Sequence, residues 1–142
     1  MDLERFVKAQ EFVFASALAE LGNGRKQGHW VWYILPQLKG LGRSDTAAFY
    51  GLSGLEEARA YLAHPVLGPR LRDCVSALLK HSDKSPEAIL GKTDTLKFRS
   101  CLTLFAAAAP EEPLFAEALS AFYGGGPDPQ TRALLAAESD LG

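Results

Sequence analysis

RKQGHWVWYILPQLKGLGRS, residues 25–44, is the stretch on which the fold class turns. Its centre, HWVWYIL at 29–35, can be laid down as strand or as helix, because a short apolar run carries no periodicity to separate the two. Trp, Val, Tyr and Ile favour strand. The surroundings are helical and nothing supplies a partner strand, so we read a short helix. Pro36 closes it, since a proline disfavours helix in the residue before it. Lys39-Gly40-Leu41-Gly42 then reads as a loop. The same stretch carries four basic residues (Arg25, Lys26, Lys39, Arg43) and no acid, in a chain of net charge −2.

Outward from this segment the patterns are helical. Leu3, Phe6, Val7, Val13, Phe14, Ala17, Leu18 and Leu21 keep the i, i+3, i+4 spacing of one amphipathic helix. Asp2 is placed to cap it, and Gly22-Asn23-Gly24 to stop it. Gln10 falls on the apolar stripe, as a tie to a neighbouring backbone or as the lining of a polar pocket. Ser44 or Asp45 starts a short helix to Tyr50. Ser53-Gly54-Leu55-Glu56 has the form of a capping box and opens a helix to Ala63. Pro65 and Pro69 suit first-turn positions of a helix to about His81. Ser85-Pro86-Glu87 opens another short helix. Thr93 or Asp94 is placed to cap a helix from Thr95 to Ala108 that is apolar nearly all round, which marks it as central. A helix from Pro113 to Phe122 and one from Pro129 to Ala137 complete the chain, with a frayed tail from Glu138.

No segment alternates with period two, and no repeat or linker divides the 142 residues. The expectation is therefore a single all-α domain over 1–142, an irregular bundle of about eight helices around the late one. The net charge of −2 argues against a dedicated nucleic-acid binder. No window is long and apolar enough to span a membrane. The N-terminus, MDLERF, lacks the apolar core of a signal sequence. A cytoplasmic protein is expected. Cys74 and Cys101 lie inside apolar helical patterns and read as reduced core thiols.

No phosphate loop, HExxH or nucleophile elbow is present. His29, His64 and His81 have no partner at ligand spacing, so no metal is expected, and no cofactor is implied. His64 reads as a helix-junction residue, and His81 as a partner of its own helix's dipole. His29 abuts Trp30 and follows Arg25 and Lys26. It is either a packed, satisfied ring or a proton carrier. Trp30 and Tyr33 share a helical face that Trp32 does not, so at least one ring is core. An exposed ring beside Arg25, Lys26 or Arg43 would stack on a nucleobase while the cations meet phosphate. Asp94, Lys97 and Ser100 lie at offsets of three along one flank of the buried helix. They are a cap and a snorkelling lysine, or a carboxylate and an ammonium held at a pocket edge.

His29-Trp30, Trp32, Pro36-Gln37 and Gly40-Leu41-Gly42 followed by Ser44 resemble the signature of the domain-of-unknown-function 1810 family, which reads SHWMWFIFPQLxGLGxS there. Arg5-Phe6-Val7, His64-Pro65, Asp94, Lys97, Ser100 and Leu102-Thr103-Leu104-Phe105 extend the resemblance over nearly the whole chain. Gly28, Val31 and Cys101 depart from it, standing where Ser, Met and Ser are usual. The resemblance implies a small, mainly helical domain widespread in bacteria, some members of which carry a calpastatin label. It implies no activity.

These residues point to one polar-lined pocket for a small anionic ligand, a nucleotide or an ADP-ribose-like molecule. Gln10, Lys26, Trp30, Gln37, Arg43 and Ser100 are the binding candidates. For chemistry, His29 or Asp94 would be acid or base and Lys97 the electrostatic stabiliser, as in N-glycoside cleavage of an ADP-ribose compound. The rival reading is a non-catalytic interaction module presenting the aromatic segment 29–42 to a partner protein. Concavity separates the two: convergence of His29, Gln37, Asp94 and Lys97 on a cleft favours the ligand, and a flat exposed tryptophan favours the partner.

Overall fold

A computed structural model describes residues 2–141, with side chains described to residue 138. The described residues form ten helices and no strand. The all-α class expected from the sequence holds, with more helices than the eight or so anticipated. The elements are α1 (Glu4–Gln10), α2 (Phe14–Gly22), α3 (Val31–Ile34), α4 (Asp45–Tyr50), α5 (Leu55–Ala63), α6 (Leu67–Leu79), α7 (Pro86–Leu90), α8 (Lys92–Ala108), α9 (Pro113–Tyr123) and α10 (Pro129–Leu141).

The first amphipathic run is two helices rather than one. It breaks at residues 11–13, leaving Phe12 90% exposed. The break lets α1 pack on α3 while α2 packs on α6. A single straight helix would point both halves along one line. Residues 29–35 contain the short helix α3, and Pro36 follows its end. The only strand-like contact among the described residues is a bridge between Leu38 and Leu52, where Lys39 N–H donates to Leu52 O at 2.7 Å and Leu52 N–H to Gln37 O at 3.0 Å. Gly51 allows it, since a Cβ there would lie 2.6 Å from Lys39 Cα.

Several caps differ from expectation. Ser44 and Ser85 accept from the N–H of Ala47 and Ala88, both at 3.1 Å, as their hydroxyls allow. The capping box at Ser53 does not form. Gly54 is the N-cap of α5, and Glu57, not Glu56, reaches back to the Ser53 N–H at 2.9 Å. Asp94 caps nothing, because α8 begins earlier, at Lys92, behind Gly91 with φ 90°. His64 Nδ1 accepts from Val66 N–H and Leu67 N–H at 3.1 and 3.3 Å and so opens α6. His81 lies beyond its own helix and donates from Nε2 to Gly22 O at 2.8 Å, closing the end of α2 instead. The last helix runs past Ala137 to Leu141.

The core is organised around α8, which packs on α3, α5, α7, α9 and α10. Phe98, Cys101, Leu102, Leu104 and Phe105 are fully buried, whereas Leu96 is exposed. Aromatic contacts run across the layers: Phe6 meets Tyr61 edge-on at 5.1 Å, Tyr61 meets Phe105 at 5.6 Å, and Phe105 meets Phe115 at 5.6 Å. Truncating Phe105 to Ala removes the middle of that chain and should cost about 3–5 kcal/mol of stability, read from the urea midpoint. Both cysteines are free and buried. Burial pushes the Cys74 thiol up to about 12, with the Asp73 charge adding to it, and burial likewise raises Cys101. A thiol reagent should therefore label neither until the protein is unfolded, followed by mass spectrometry across a denaturant series.

Candidate functional site

The loop between α2 and α3 folds over the start of α8, and a carboxylate sets its shape. Glu20 Oε1 accepts from Gln27 N–H at 2.6 Å, Gly28 N–H at 2.8 Å and the Trp30 indole N–H at 3.0 Å. Burial alone would raise the Glu20 pKa. The Gly28, Gln27 and Trp30 hydrogen bonds and the Lys26 charge outweigh it and hold the pKa below its ordinary value. This arrangement turns Trp30 inward, 2% exposed, and leaves its neighbour His29 facing solvent.

Lys26 is held from several directions. Its N–H donates to Ile89 O at 2.8 Å. Its ammonium lies 2.7 Å from Asp94 Oδ2, bonds the Gly28 carbonyl and sits over the Trp30 ring at 4.9 Å. The side chain is only 7% exposed, so Lys26 is a strap tying the loop to α8. Asp94 turns its other oxygen, Oδ1, to Lys97 Nζ at a longer 3.4 Å. Lys97 lies over the Trp32 ring at 5.3 Å.

Beside Lys97 a cleft of about 270 Å³ opens between the loop after Pro36, the first turns of α8 and the start of α10. Gln37, Lys97, Ser100, Asp128 and Gln130 supply its polar groups, and Leu41 and Leu96 its apolar walls. Ser100 spends its hydroxyl hydrogen on Leu96 O at 3.1 Å, so its lone pairs remain. Asp128 Oδ2 accepts from Thr131 N–H and Oγ1–H at 2.8 and 2.7 Å, capping α10. An adjoining groove of about 330 Å³ shares Leu41 and Gln130 with the cleft and carries Arg43.

The residues singled out in the sequence therefore divide. Gln37, Lys97 and Ser100 line one cleft, Asp94 stands behind Lys97, and Arg43 lies in the adjoining groove. Four do not join them, the first being Lys26, which is spent on the strap to Asp94. His29 is exposed, does not line the cleft and, among the described residues, enters no hydrogen bond or ion pair, so nothing places it as an acid or base there. Trp30 is core and has no open face for stacking. Gln10 is a structural tie: its amide nitrogen donates to Tyr33 O at 2.6 Å and to the Tyr61 hydroxyl at 3.1 Å, and its oxygen accepts from Arg70 at 3.3 Å. Glu20, Asp128 and Gln130 were not anticipated, and Thr93, expected as a cap, instead lies inside α8 and lines the cleft. Asp128 carried a signal, as the residue before Pro129, but that spacing speaks only of a helix cap.

Asp94→Asn leaves the Lys26 ammonium without its anion. Full breakage of a buried pair costs about 3–5 kcal/mol, and with Asp94 partly open to solvent the loss should be about 2–3 kcal/mol, read from the urea midpoint. Glu20 gives a pH test. Its folded pKa is depressed, so its contribution is complete above the ordinary carboxylate value of about 4.3 and is lost as pH falls through the folded one. The melting-temperature gap between the native protein and Glu20→Gln should be open at pH 7 and close as the acid range is entered.

Relatives agree with this fold. The conserved hypothetical protein Rv1873 from Mycobacterium tuberculosis has a crystal structure similar to this one, with a TM-score of 0.93 and 50% identity over 95% of this chain and 96% of that one. None of the curated proteins matches the chain. The family model described as "Protein of unknown function (DUF1810)" matches residues 1–135. With its signature residues placed on α3, the following loop and α8, the chain belongs to the DUF1810 family.

Proposed function

We propose that the cleft beside Lys97 binds a small anionic ligand of the nucleotide class, ADP-ribose-like molecules included. The observation that supports it is a charge imbalance. Two ammonium groups, Lys26 and Lys97, share the single Asp94 carboxylate. Lys26 holds it closely at 2.7 Å and is enclosed, while Lys97 sits at 3.4 Å and lines the cleft. Lys97 is left loosely partnered on a concave surface whose other charged group, Asp128, turns one oxygen to the cap of α10, and an anion at Lys97 completes the Asp94 set. A charge-assisted bond to it is stronger than a neutral one. The Gln37 amide lines the same cleft and is positioned by the Leu38–Leu52 bridge. Arg43, in the adjoining groove, stands ready for the second charged group of a longer ligand.

Binding is better supported than turnover. Both Asp94 oxygens face ammonium groups, so neither is open to take a proton from a substrate. The partner-protein reading fares worse. Trp30, Val31, Ile34, Leu35 and Leu38 are buried, and the most exposed large apolar side chains, Phe12, Phe49, Leu96 and Leu134, lie outside residues 29–42.

A melting-temperature screen with inorganic phosphate, AMP, ADP and ADP-ribose tests the proposal. A ligand present at 100 times its dissociation constant should add about 2.7 kcal/mol of stability. Lys97→Gln, which leaves the Lys26–Asp94 pair in place, should remove that gain. No stabilisation by any of the anions, or an undiminished gain in Lys97→Gln, would overturn it.

A further inference from the structure

Besides its cation, the cleft presents acceptors that have no donor. Asp128 uses Oδ2 for the cap of α10, and among the described residues Oδ1 takes no hydrogen bond. Ser100 is buried and donates to Leu96 O, so towards the cleft its hydroxyl can only accept unless it breaks that bond. The two acceptors stand on different elements, Ser100 on α8 and Asp128 just before α10, and both line the space that Lys97 lines. Gln37 and Gln130 add amide groups that can donate or accept.

A bare anion satisfies only Lys97 and would face the Asp128 carboxylate across the cleft. Asp128 spends Oδ2 on the Thr131 N–H and hydroxyl, which leaves Oδ1 to accept from a neutral donor carried by the same ligand. Neutral donors rigidly attached to an anion describe the hydroxyls of a phosphorylated sugar. A volume of about 270 Å³ suits a fragment of that size and is below the range of about 300–1,000 Å³ typical of pockets for drug-sized ligands.

We infer that the cleft recognises a sugar phosphate, free or as the ribose phosphate end of a larger molecule, with its phosphate at Lys97 and its hydroxyls at Asp128 Oδ1 and Ser100 Oγ. The inference rests on the anion-binding reading and can fail without it. Discrimination follows from the unpaired acceptors: a site built to receive hydroxyl donors rejects ligands lacking them far more strongly than an apolar site does.

Titration calorimetry with ribose 5-phosphate, inorganic phosphate, ribose and glycine provides the test. Ribose 5-phosphate should bind at least tenfold more tightly than inorganic phosphate. Asp128→Asn keeps a capping oxygen for α10, since Asn caps as well as Asp, but can turn its NH₂ to the cleft. It should erase the tenfold preference, and phosphate affinity should not fall, because the variant also removes the carboxylate charge that faces the anion. Ser100→Ala, a small change on a buried helix, should reduce the preference about threefold, and Lys97→Gln should weaken both anions. If the two anions bind equally, or if Asp128→Asn and Ser100→Ala leave the preference intact, the sugar inference is overturned while anion binding stands. If glycine binds and ribose 5-phosphate does not, the donors are an ammonium group and the inference is overturned. If neither anion binds, the sugar inference falls, and the anion reading falls with it only when AMP, ADP and ADP-ribose also fail to stabilise the protein.

Discussion

A 17-residue helix with fully buried side chains around most of its circumference has to be enclosed, and α8 imposes that requirement on every neighbour. Helices α5, α7, α9 and α10 cover its apolar surface, and α3 reaches it from the N-terminal half of the chain. Enclosure works from Phe98 onward because the residues there carry few groups that need water. The flank that starts in the first turn and runs to Ser100 is different. Asp94, Lys97 and Ser100 bring charge and a hydroxyl to a surface that the bundle would otherwise seal, and burying an unpaired charge is far costlier than leaving it in a wet cleft.

The candidate site follows from that conflict. Lys26 neutralises Asp94 from the far side and closes that flank with the Trp30 ring. Lys97 cannot be neutralised in the same way, since Asp94 is already held more closely by Lys26. The chain leaves a gap beside it, bounded by the loop that the Leu38–Leu52 bridge fixes and by the capped start of α10. Polar ties elsewhere show the alternative outcome. Gln10, equally out of place on an apolar stripe, finds Tyr33, Tyr61 and Arg70 and is sealed in, so it offers nothing to a ligand.

Much of the fold was legible in the residues. Serine caps at Ser44 and Ser85, glycine stops and the prolines opening α7 and α9 are local devices that act the same way whatever packs around them, whereas Pro65, expected in a first turn, lies ahead of α6. The errors came where a choice depended on distant partners. The break at residues 11–13 follows no glycine or proline; it arises because α1 and α2 pack on different helices. The expected cap at Asp94 failed because α8 starts two residues earlier, which leaves the carboxylate to pair with Lys26, 68 positions before it.

The sequence by itself determined an all-α chain, the central place of α8, the core thiols and the family to which it belongs, because periodicity, end signals and signature residues are properties of neighbouring positions. It also marked Gln37, Lys97 and Ser100, as polar residues in apolar company. Only the tertiary structure decided which of the marked residues meet. It turned His29 to solvent, buried Trp30, made Lys26 a strap, and brought Asp128 and Gln130 to Lys97 from the far end of the chain. The reason is physical: a polar group's role depends on whether another group satisfies it, and partners far apart in sequence are supplied by packing alone.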